Sequence, residues 1–532
     1  MKKSKVFLLA AVGLLSVGVL TACSSSSKTS GKTYNYVYGS DPATLDYLAT
    51  NKKNMTTAVS NGVDGLFEND QYGNLKPSVA EDWSVSQDGL TYTYKIRKGV
   101  KWYTSDGEEY ANVTAKDFVT GLKHAADTNS EAIYLLQNSV KGLNDYLSGA
   151  NKDFSNVGIK AVDDYTLQYT LSQPEPYWNS KLTYSVTWPV NEDFLKSKGK
   201  DFGKSTDPTS ILYNGPYLLK SLTTKSSIEF TKNENYWDKD HVYFDNIKLT
   251  YDDGSDQESL ERNFTDGVYN LARLFPTSSN YSKVEKQYKD NIFYTQPGSA
   301  VEGVGINIDR QTYGHTSKEN DQQKTSTKTA LLNKDFRQSL GFAIDRTNYA
   351  AQLNGKEGGS TAVRNIFVKP DFVQADGKDF GTMVMDQLPA YGDEWSGVNL
   401  ADSQDGLYNP EKAKAEFAKA KEALQAEGVQ FPIHLDVPVN QSSKITVNQV
   451  QSIKQSVESA LGKDNVVLDI HQLSADDFNN ITYSASNAAA EDWDLSVGVA
   501  WDPDYLDPST YLDVLKTTSS ENTKSFMGYD DP

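Results

Sequence analysis

The chain has 532 residues, with 52 Lys and Arg residues against 71 Asp and Glu residues, so its formal net charge is −19 at pH 7. This acidic excess argues against nucleic acid as a partner, because phosphate binding needs clustered cationic side chains. Hydrophobic residues make up 38% of the chain and charged residues 23%, which is typical of a globular protein rather than a disordered one.

The first residues have the pattern of a secretory signal peptide. Lysines precede an apolar run over residues 6–20, which at ~1.5 Å per residue extends ~22 Å and is too short for the ~30 Å hydrocarbon core of a membrane. The single cysteine of the chain, Cys23, follows Ala22. A single cysteine excludes a disulfide or a Cys-based zinc site within one chain.

The residues around Cys23 resemble the lipobox of bacterial lipoproteins, whose cysteine is acylated with diacylglycerol and becomes the first mature residue. The resemblance implies a signal peptide over residues 1–22, a lipid anchor on Cys23 and a flexible, lipid-anchored tether over residues 23–33. The alternative is a plain secretory signal with an incidental cysteine.

Strand patterns come first in the body of the chain. Residues 90–96 alternate apolar and polar side chains, which is typical of a strand with one buried face. Asp88 and Gly89 provide a turn to residues 83–86, and together these segments predict a β-hairpin. Residues 165–171 repeat the alternation.

Helices and strands alternate in the second half. Asn409 and Pro410 have the pattern of a helix start, and Gly428 that of its end. The apolar stripe of this helix consists of Ala413, Phe417, Ala420 and Leu424. A second helix is predicted over residues 450–461, ending at Gly462, between strands at 433–439 and 464–473. This alternation predicts an α/β fold.

Two further segments have distinct patterns. Residues 333–346 predict a core helix with Arg346 near its end, where a cation suits the helix dipole. Residues 311–329 are polar and without periodicity, which predicts an exposed insertion.

Motifs for catalysis or metal binding are missing from the sequence. The histidines are far apart, and neither HExxH nor GxSxG occurs, so zinc peptidases and common serine hydrolases have no support. We therefore expect no catalytic residues, no metal site and no cofactor. Paired carboxylates for glycoside hydrolysis stay open, because only their distances in space would test them.

Six blocks of sequence between residues 40 and 515 carry a family resemblance. The blocks are residues 80–102 (with 106–107 and 114–118 beyond), 214–217, 233–237, 333–346, 409–413 and 501–508. In this order they resemble the extracellular solute-binding proteins of family 5, which serve oligopeptide and dipeptide ABC transporters. The polar insertion and the lipobox resemble the Gram-positive Ami/Ali-type oligopeptide-binding lipoproteins in particular.

The resemblance implies a two-lobed, periplasmic-binding-protein-like α/β fold of class II, cluster C type, with an extra subdomain in the first lobe. At roughly 100–200 residues per domain, three such parts fit the length. We expect lobe I at residues 34–58 and 185–298, the extra subdomain at 59–184 and lobe II at 299–532. Relatives of this family usually continue for roughly a hundred residues beyond the last block, so we expect the chain to be a fragment that lacks the C-terminal completion of lobe II.

The function implied by the resemblance is peptide capture without catalysis. An extended peptide would bind in a cleft between two lobes, which close over it by hinge motion and deliver it to a membrane permease. The expected partners are oligopeptides, the permease and ATPase subunits of the transporter, and the membrane through Cys23. The protein would act as a monomer on the extracellular face of a Gram-positive cell membrane.

The predicted site is the acidic, Pro-rich segment 501–508. It follows a predicted strand at residues 494–500, and ligands of open α/β sheets bind beyond the carboxyl ends of strands. By position in the family motif, Asp504 pairs with the α-ammonium group of the peptide and Asp502 is its rival. The backbone partners would be Val499, Ala500 and Trp501, and the walls Trp501 and Tyr505. The resemblance also implies a lining strand near residues 50–52, with Asn51 as its site residue.

Three alternatives stay open at this point. The acids of 501–508 could merely suit a turn beside Pro503 and Pro508. A protein of the same fold could bind another solute, such as a nickel chelate or a sugar. The chain could also be an extracellular hydrolase, against which the missing motifs count.

Overall fold

A computed structural model of the chain describes residues 32–254, 256–293, 298–400, 405–482, 485–516 and 523–529. The predicted signal peptide and Cys23 lie outside the described residues. The described chain divides into two compact units, one ending at Arg273 and one starting at Leu274.

The first unit contains most of the strands. They are β1 (Thr33–Tyr38), β2 (Phe67–Asn69), β3 (Leu75–Pro77), β4 (Ala80–Val85), β5 (Thr91–Ile96), β6 (Lys101–Tyr103), β7 (Glu109–Asn112), β8 (Ile159–Asp163), β9 (Thr166–Thr170), β10 (Tyr217–Thr223), β11 (Ser227–Lys232) and β12 (Asn246–Tyr251). Its helices are α1 (Lys53–Val59), α2 (Ala115–Asp127), α3 (Tyr134–Gln137), α4 (Leu143–Leu147), α5 (Trp178–Lys181), α6 (Glu192–Lys198) and α7 (Ser259–Thr265).

Two four-stranded sheets share one core in this unit. One sheet has the order β1-β12-β11-β10, with β1 parallel to β12, and the other is the antiparallel sheet β4-β5-β9-β8. The predicted hairpin is confirmed as β4 and β5, joined by a turn in which Gly89 has φ +70°. Tyr94 and Leu167 from one sheet and Ile228 from the other belong to the same buried cluster.

The second unit contains the remaining elements. Its strands are β13 (Val301–Ile306), β14 (Gln374–Ala375), β15 (Lys378–Asp379), β16 (Ile433–Asn440), β17 (Val466–Leu473) and β18 (Leu495–Trp501). Its helices are α8 (Tyr281–Tyr288), α9 (Asp321–Leu332), α10 (Lys334–Ala343), α11 (Arg346–Gly359), α12 (Phe380–Gln387), α13 (Pro410–Ala426), α14 (Lys444–Leu461), α15 (Ala475–Asn480), α16 (Ser509–Leu512) and α17 (Thr523–Met527).

A parallel pair and an antiparallel pair of strands form the centre of the second unit. β16 and β17 are parallel, joined by α14, and β13 is antiparallel to β18. The amide of Asp494 donates to the carbonyl of Asp436 over 3.0 Å, so the start of β18 lies beside β16. The alternation of helices and strands predicted from the sequence is confirmed here.

Both predicted helices of this unit are confirmed. Asn409 caps α13, because its side-chain oxygen accepts the amide of Lys412 over 3.0 Å, and all four residues of the predicted stripe are buried. Gly428 and Gly462 follow the two helices with φ +79° and +86°. Glycine adopts these left-handed conformations without the strain that a Cβ atom causes.

The prediction of an exposed, unpatterned insertion at 311–329 is only partly right: most of its residues are exposed or half-exposed, but Lys318, Ser326 and Thr327 are buried. Residues from Asp321 onward form α9, whose Ser326, Thr327 and Ala330 are buried. The helix buries polar residues because their hydroxyl groups are paired: Thr327 donates to the carbonyl of His434 over 2.9 Å, and Ser326 accepts the amide of Gln430.

The helix predicted over 333–346 ends earlier than expected. α10 ends at Ala343, and Arg346 is the first residue of α11. The guanidinium of Arg346 nevertheless donates to the carbonyls of Gly341 and Ile344, each over 3.0 Å. The cation therefore lies at the carboxyl end of α10 as predicted, but it comes from the next helix.

Within the described residues, no helix is long and apolar enough to cross a membrane. The same residues contain no group of His, Cys, Asp and Glu that could hold a metal ion.

Candidate functional site

The site is built on β18, which leaves the core halfway along its length. Residues 495–497 are buried, whereas Gly498 and Ala500 are exposed. The pairing with β13 shifts at this point, so that Gly498 is the extra residue of a bulge, with φ +88°. A bulge bends a strand and changes where its end points. Glycine at 498 thus allows the strand to turn out of the sheet.

Only one edge of the emerging strand is paired in the described part of the chain. Val499, Ala500 and Trp501 lie opposite Gly303, Glu302 and Val301 of β13. β13 is the strand that pairs with β18 among the described residues. An unpaired strand edge presents amide and carbonyl groups to which an extended peptide can add.

Asp504 lies in the loop that follows β18 and is partly buried. Its backbone amide donates to the hydroxyl oxygen of Thr510, with 2.8 Å between nitrogen and oxygen. Thr510 is 2% exposed. Sequence reasoning missed Thr510, although hydroxyl side chains at a helix start commonly bond to nearby backbone groups, and Thr510 is in the first turn of α16.

The third acid of the loop, Asp507, has a structural role. Its carboxylate accepts the amide of Ser509 over 2.9 Å and the hydroxyl of Ser509 over 2.6 Å. These bonds organise the start of α16. The alternative of a turn-forming acid therefore holds for Asp507.

Asp502 differs from its neighbours. The residue is exposed as a whole, yet partial burial of its carboxyl group raises the pKa of Asp502. Desolvation disfavours the charged form that an ammonium ligand requires. This shift counts against Asp502 and leaves Asp504 untested as the anchor.

The two predicted walls are held by contacts within the second unit. Trp501 packs against a cluster formed by Val301, Val368 and Tyr511. Its indole nitrogen is buried, with no hydrogen-bond partner among the described residues. The hydroxyl of Tyr505 donates to the carboxylate of Asp513 over 2.9 Å.

The prediction of a strand near residues 50–52 is wrong. These residues form no strand and lead directly into α1. Thr50 donates to Glu131 over 2.5 Å, and the ammonium of Lys52 pairs with the same carboxylate over 2.8 Å. Side-chain bonding of this kind competes with strand pairing. Asn51 belongs to the first unit, whereas the other six predicted site residues belong to the second.

A buried charge cluster supports the start of β18. Arg310 and Lys318 pair with Asp436, Asp492 and Asp494, and each side chain is at most 2% exposed. The neighbouring carboxylates raise the pKa of Arg310 despite its burial. For Asp436, burial would raise the pKa, but hydrogen bonding to His471 and the charge of Lys318 hold it well below its usual range.

The second unit also contains a largely apolar cavity of about 470 Å³. Leu340, Ile344, Leu353 and Val363 contribute to its walls, together with Glu302. None of the predicted site residues lines this cavity. The predicted site is thus a strand edge and a loop.

Known proteins are similar to this chain over nearly its whole length. The family model "Bacterial extracellular solute-binding proteins, family 5 Middle" matches residues 74–523. The chain is 69% identical over 535 residues to the oligopeptide-binding protein AmiA of Streptococcus pneumoniae serotype 4. This alignment covers 100% of this chain and 81% of that protein. It is 63% identical over 532 residues to AliA of the same organism, with the same coverage of 100% and 81%. Among solved structures, it is similar to Listeria monocytogenes OppA bound to peptide, at a TM-score of 0.66 and 25% identity, covering 94% of this chain and 87% of that one.

Proposed function

Because the chain belongs to the bacterial extracellular solute-binding proteins of family 5, we propose that it captures oligopeptides outside the cell for an ABC importer. The predicted family and the two-lobed α/β fold are confirmed. The structural observation that carries the proposal is the end of β18, where a strand edge that is unpaired among the described residues runs into the loop that contains Asp504.

The strand edge accounts for binding without sequence preference. An extended peptide beside residues 499–501 would exchange main-chain hydrogen bonds with β18, and such bonds are the same for every sequence. Side chains of the peptide would be accommodated by bridging water, which tolerates varied residues. The affinity contributed by these bonds would therefore not depend on the sequence of the peptide.

The carboxylate of Asp504 would fix the amino end of the peptide. A free α-ammonium group carries a positive charge, and pairing with a carboxylate compensates for its removal from water. A micromolar affinity corresponds to ~8 kcal/mol in total. Removing one partner of such a charge pair costs ~2–5 kcal/mol, which is large beside this total.

The amino-terminal motif and the relatives support a proposal for where in the cell the protein acts. The relatives named above are binding proteins by name, and we propose that this chain likewise lacks catalytic activity. We propose that Cys23 is acylated and holds the protein at the outer face of a Gram-positive cell membrane. There it would meet the permease and ATPase subunits of its transporter as a monomer.

Native mass spectrometry tests the proposed function. The protein from Cys23 onward is mixed with peptides of several lengths, each present with a free and with an acetylated amino end. Retention of intact peptides with a preference for the free amine is expected. Retention of no peptide by a folded protein would contradict peptide capture. Cleavage of the peptides would instead support a hydrolase.

A further inference from the structure

The backbone of Asp504 is fixed by a side chain that the proposed function does not use. The amide of Asp504 donates to the hydroxyl oxygen of Thr510 over 2.8 Å, and Thr510 is 2% exposed. A hydrogen bond shielded from water in this way holds the amide in one place, because the group has little solvent to exchange with.

Thr510 is itself fixed by the core. Its amide donates to the carbonyl of Asp507 over 3.1 Å. The next residue, Tyr511, is 0% exposed, and its hydroxyl donates to the carbonyl of Ser299 over 2.6 Å. The ring of Tyr511 packs edge-on against Phe372 at 5.1 Å. Buried contacts thus fix the position of Thr510, and its hydrogen bond in turn fixes the backbone of Asp504.

The other polar contacts of the loop hold different residues. Asp507 binds Ser509, and the hydroxyl of Tyr505 donates to Asp513 and lies 3.3 Å from the hydroxyl of Ser509. Among the side-chain contacts described for this loop, that of Thr510 reaches the backbone of Asp504. Ser509 therefore provides a matched control: it is a hydroxyl residue of the same helical turn with a different partner.

We propose that Thr510 is a positioning residue for the peptide anchor. Its hydroxyl holds the Asp504 backbone so that the carboxylate meets the α-ammonium group of the bound peptide. A charged contact of this kind depends on placement within about 0.5 Å. The inference rests on the proposed function, because it assigns Thr510 a role only through Asp504.

The test compares Thr510→Val, Thr510→Ser and Ser509→Ala with the unaltered protein. Dissociation constants are measured by calorimetry for one peptide with a free amino end and for its acetylated form. Valine keeps the shape of threonine but removes the hydroxyl, so Thr510→Val is expected to weaken binding of the free-amine peptide about fivefold to tenfold. Binding of the acetylated peptide should not change. Thr510→Ser and Ser509→Ala should retain the preference.

Three outcomes of this test lead to different conclusions. If the unaltered protein shows no preference for the free amine, the anchor in the proposed function is wrong, and the role of Thr510 falls with it. If that preference exists and persists in Thr510→Val, the proposal for Thr510 is overturned and the proposed function stands. Equal loss of both peptides in Thr510→Val would mean a general structural role, which also overturns it.

Discussion

The backbone amide of Asp436 donates a hydrogen bond to the carboxylate of Asp494, with 2.7 Å between nitrogen and oxygen. The guanidinium of Arg310 lies 2.7 Å from the Asp436 carboxylate and 3.0 Å from that of Asp494. Lys318 pairs with both carboxylates. One buried cluster thus fastens β16 to the start of the strand that leads to the candidate site.

Removing one acid of this cluster should destabilise the second unit. Asp436→Asn leaves Arg310 and Lys318 buried with one carboxylate fewer, and breaking a buried ion pair in this way costs ~3–5 kcal/mol. Urea denaturation followed by circular dichroism measures the change in unfolding free energy. The control is Asp386→Asn, because Asp386 pairs with Lys378 at 54% side-chain exposure, where a pair is worth ~0–1 kcal/mol. Equal effects of the two substitutions would contradict the importance of the cluster.

The first unit contains a buried carboxyl group with a shifted pKa. The hydroxyl of Tyr236 donates to Asp64 over 2.8 Å, and the amide of Asp64 donates to Asn214 over 2.8 Å. Burial raises the pKa of Asp64 to about 7 from its ordinary value of 3.8, against the opposing effect of the Tyr236 hydrogen bond. The folded protein therefore binds more protons at this group than the unfolded chain does between these two values.

This shift predicts a loss of stability as the pH rises. The contribution of Asp64 is most favourable below the unfolded pKa of 3.8 and is lost as the pH rises through about 7. The loss amounts to at most about 4 kcal/mol, at about 1.4 kcal/mol per pKa unit. Asp64→Asn keeps an acceptor for Tyr236 without the charge, so its unfolding free energy should vary less over this range.

Urea denaturation at a series of pH values measures this effect. Asp82→Asn is the matched control, because the Asp82 side chain is 64% exposed. A pH dependence of Asp64→Asn equal to that of the unaltered protein would mean that Asp64 does not titrate as described.

Sequence patterns that involve only neighbouring residues predicted the structure correctly. The capping of α13 by Asn409 and the turn at Gly89 depend on neighbouring residues, and both were predicted correctly. The burial of Lys318 within 311–329 was not predicted because its partners, Asp436 and Asp494, lie more than a hundred residues away along the chain. Local polarity indicated exposure, while the folded chain provides those partners in its interior.

Only part of the candidate site could be predicted from the sequence. The strand β18 and the loop after it were predicted from alternation and the family motif. The support from Thr510 could not be derived, because it depends on how the loop folds back on Asp504. The strand near Asn51 was carried over from the family and is absent here, since Thr50 and Lys52 bind Glu131 instead.

Acylation of Cys23 predicts a membrane-bound protein. Cys23→Ala should release the protein from the membrane fraction into the medium, because the acyl chains contribute ~0.8 kcal/mol per buried CH₂ group to anchoring. Cell fractionation and immunoblotting measure the distribution. Ser24→Ala is the neighbouring control and should remain with the membrane. A Cys23→Ala protein that stays in the membrane fraction would contradict lipid anchoring through this residue.

Isothermal titration calorimetry of Asp504→Asn tests the central claim most directly. One peptide is offered with a free and with an acetylated amino end to the unaltered protein, to Asp504→Asn and to Asp502→Asn. We predict that Asp504→Asn weakens binding of the free-amine peptide by ~2–5 kcal/mol and leaves the acetylated peptide unaffected, because only the former has an ammonium group to pair. Asp502→Asn should retain the preference. If Asp504→Asn binds both peptides as the unaltered protein does, Asp504 is not the anchor of the peptide.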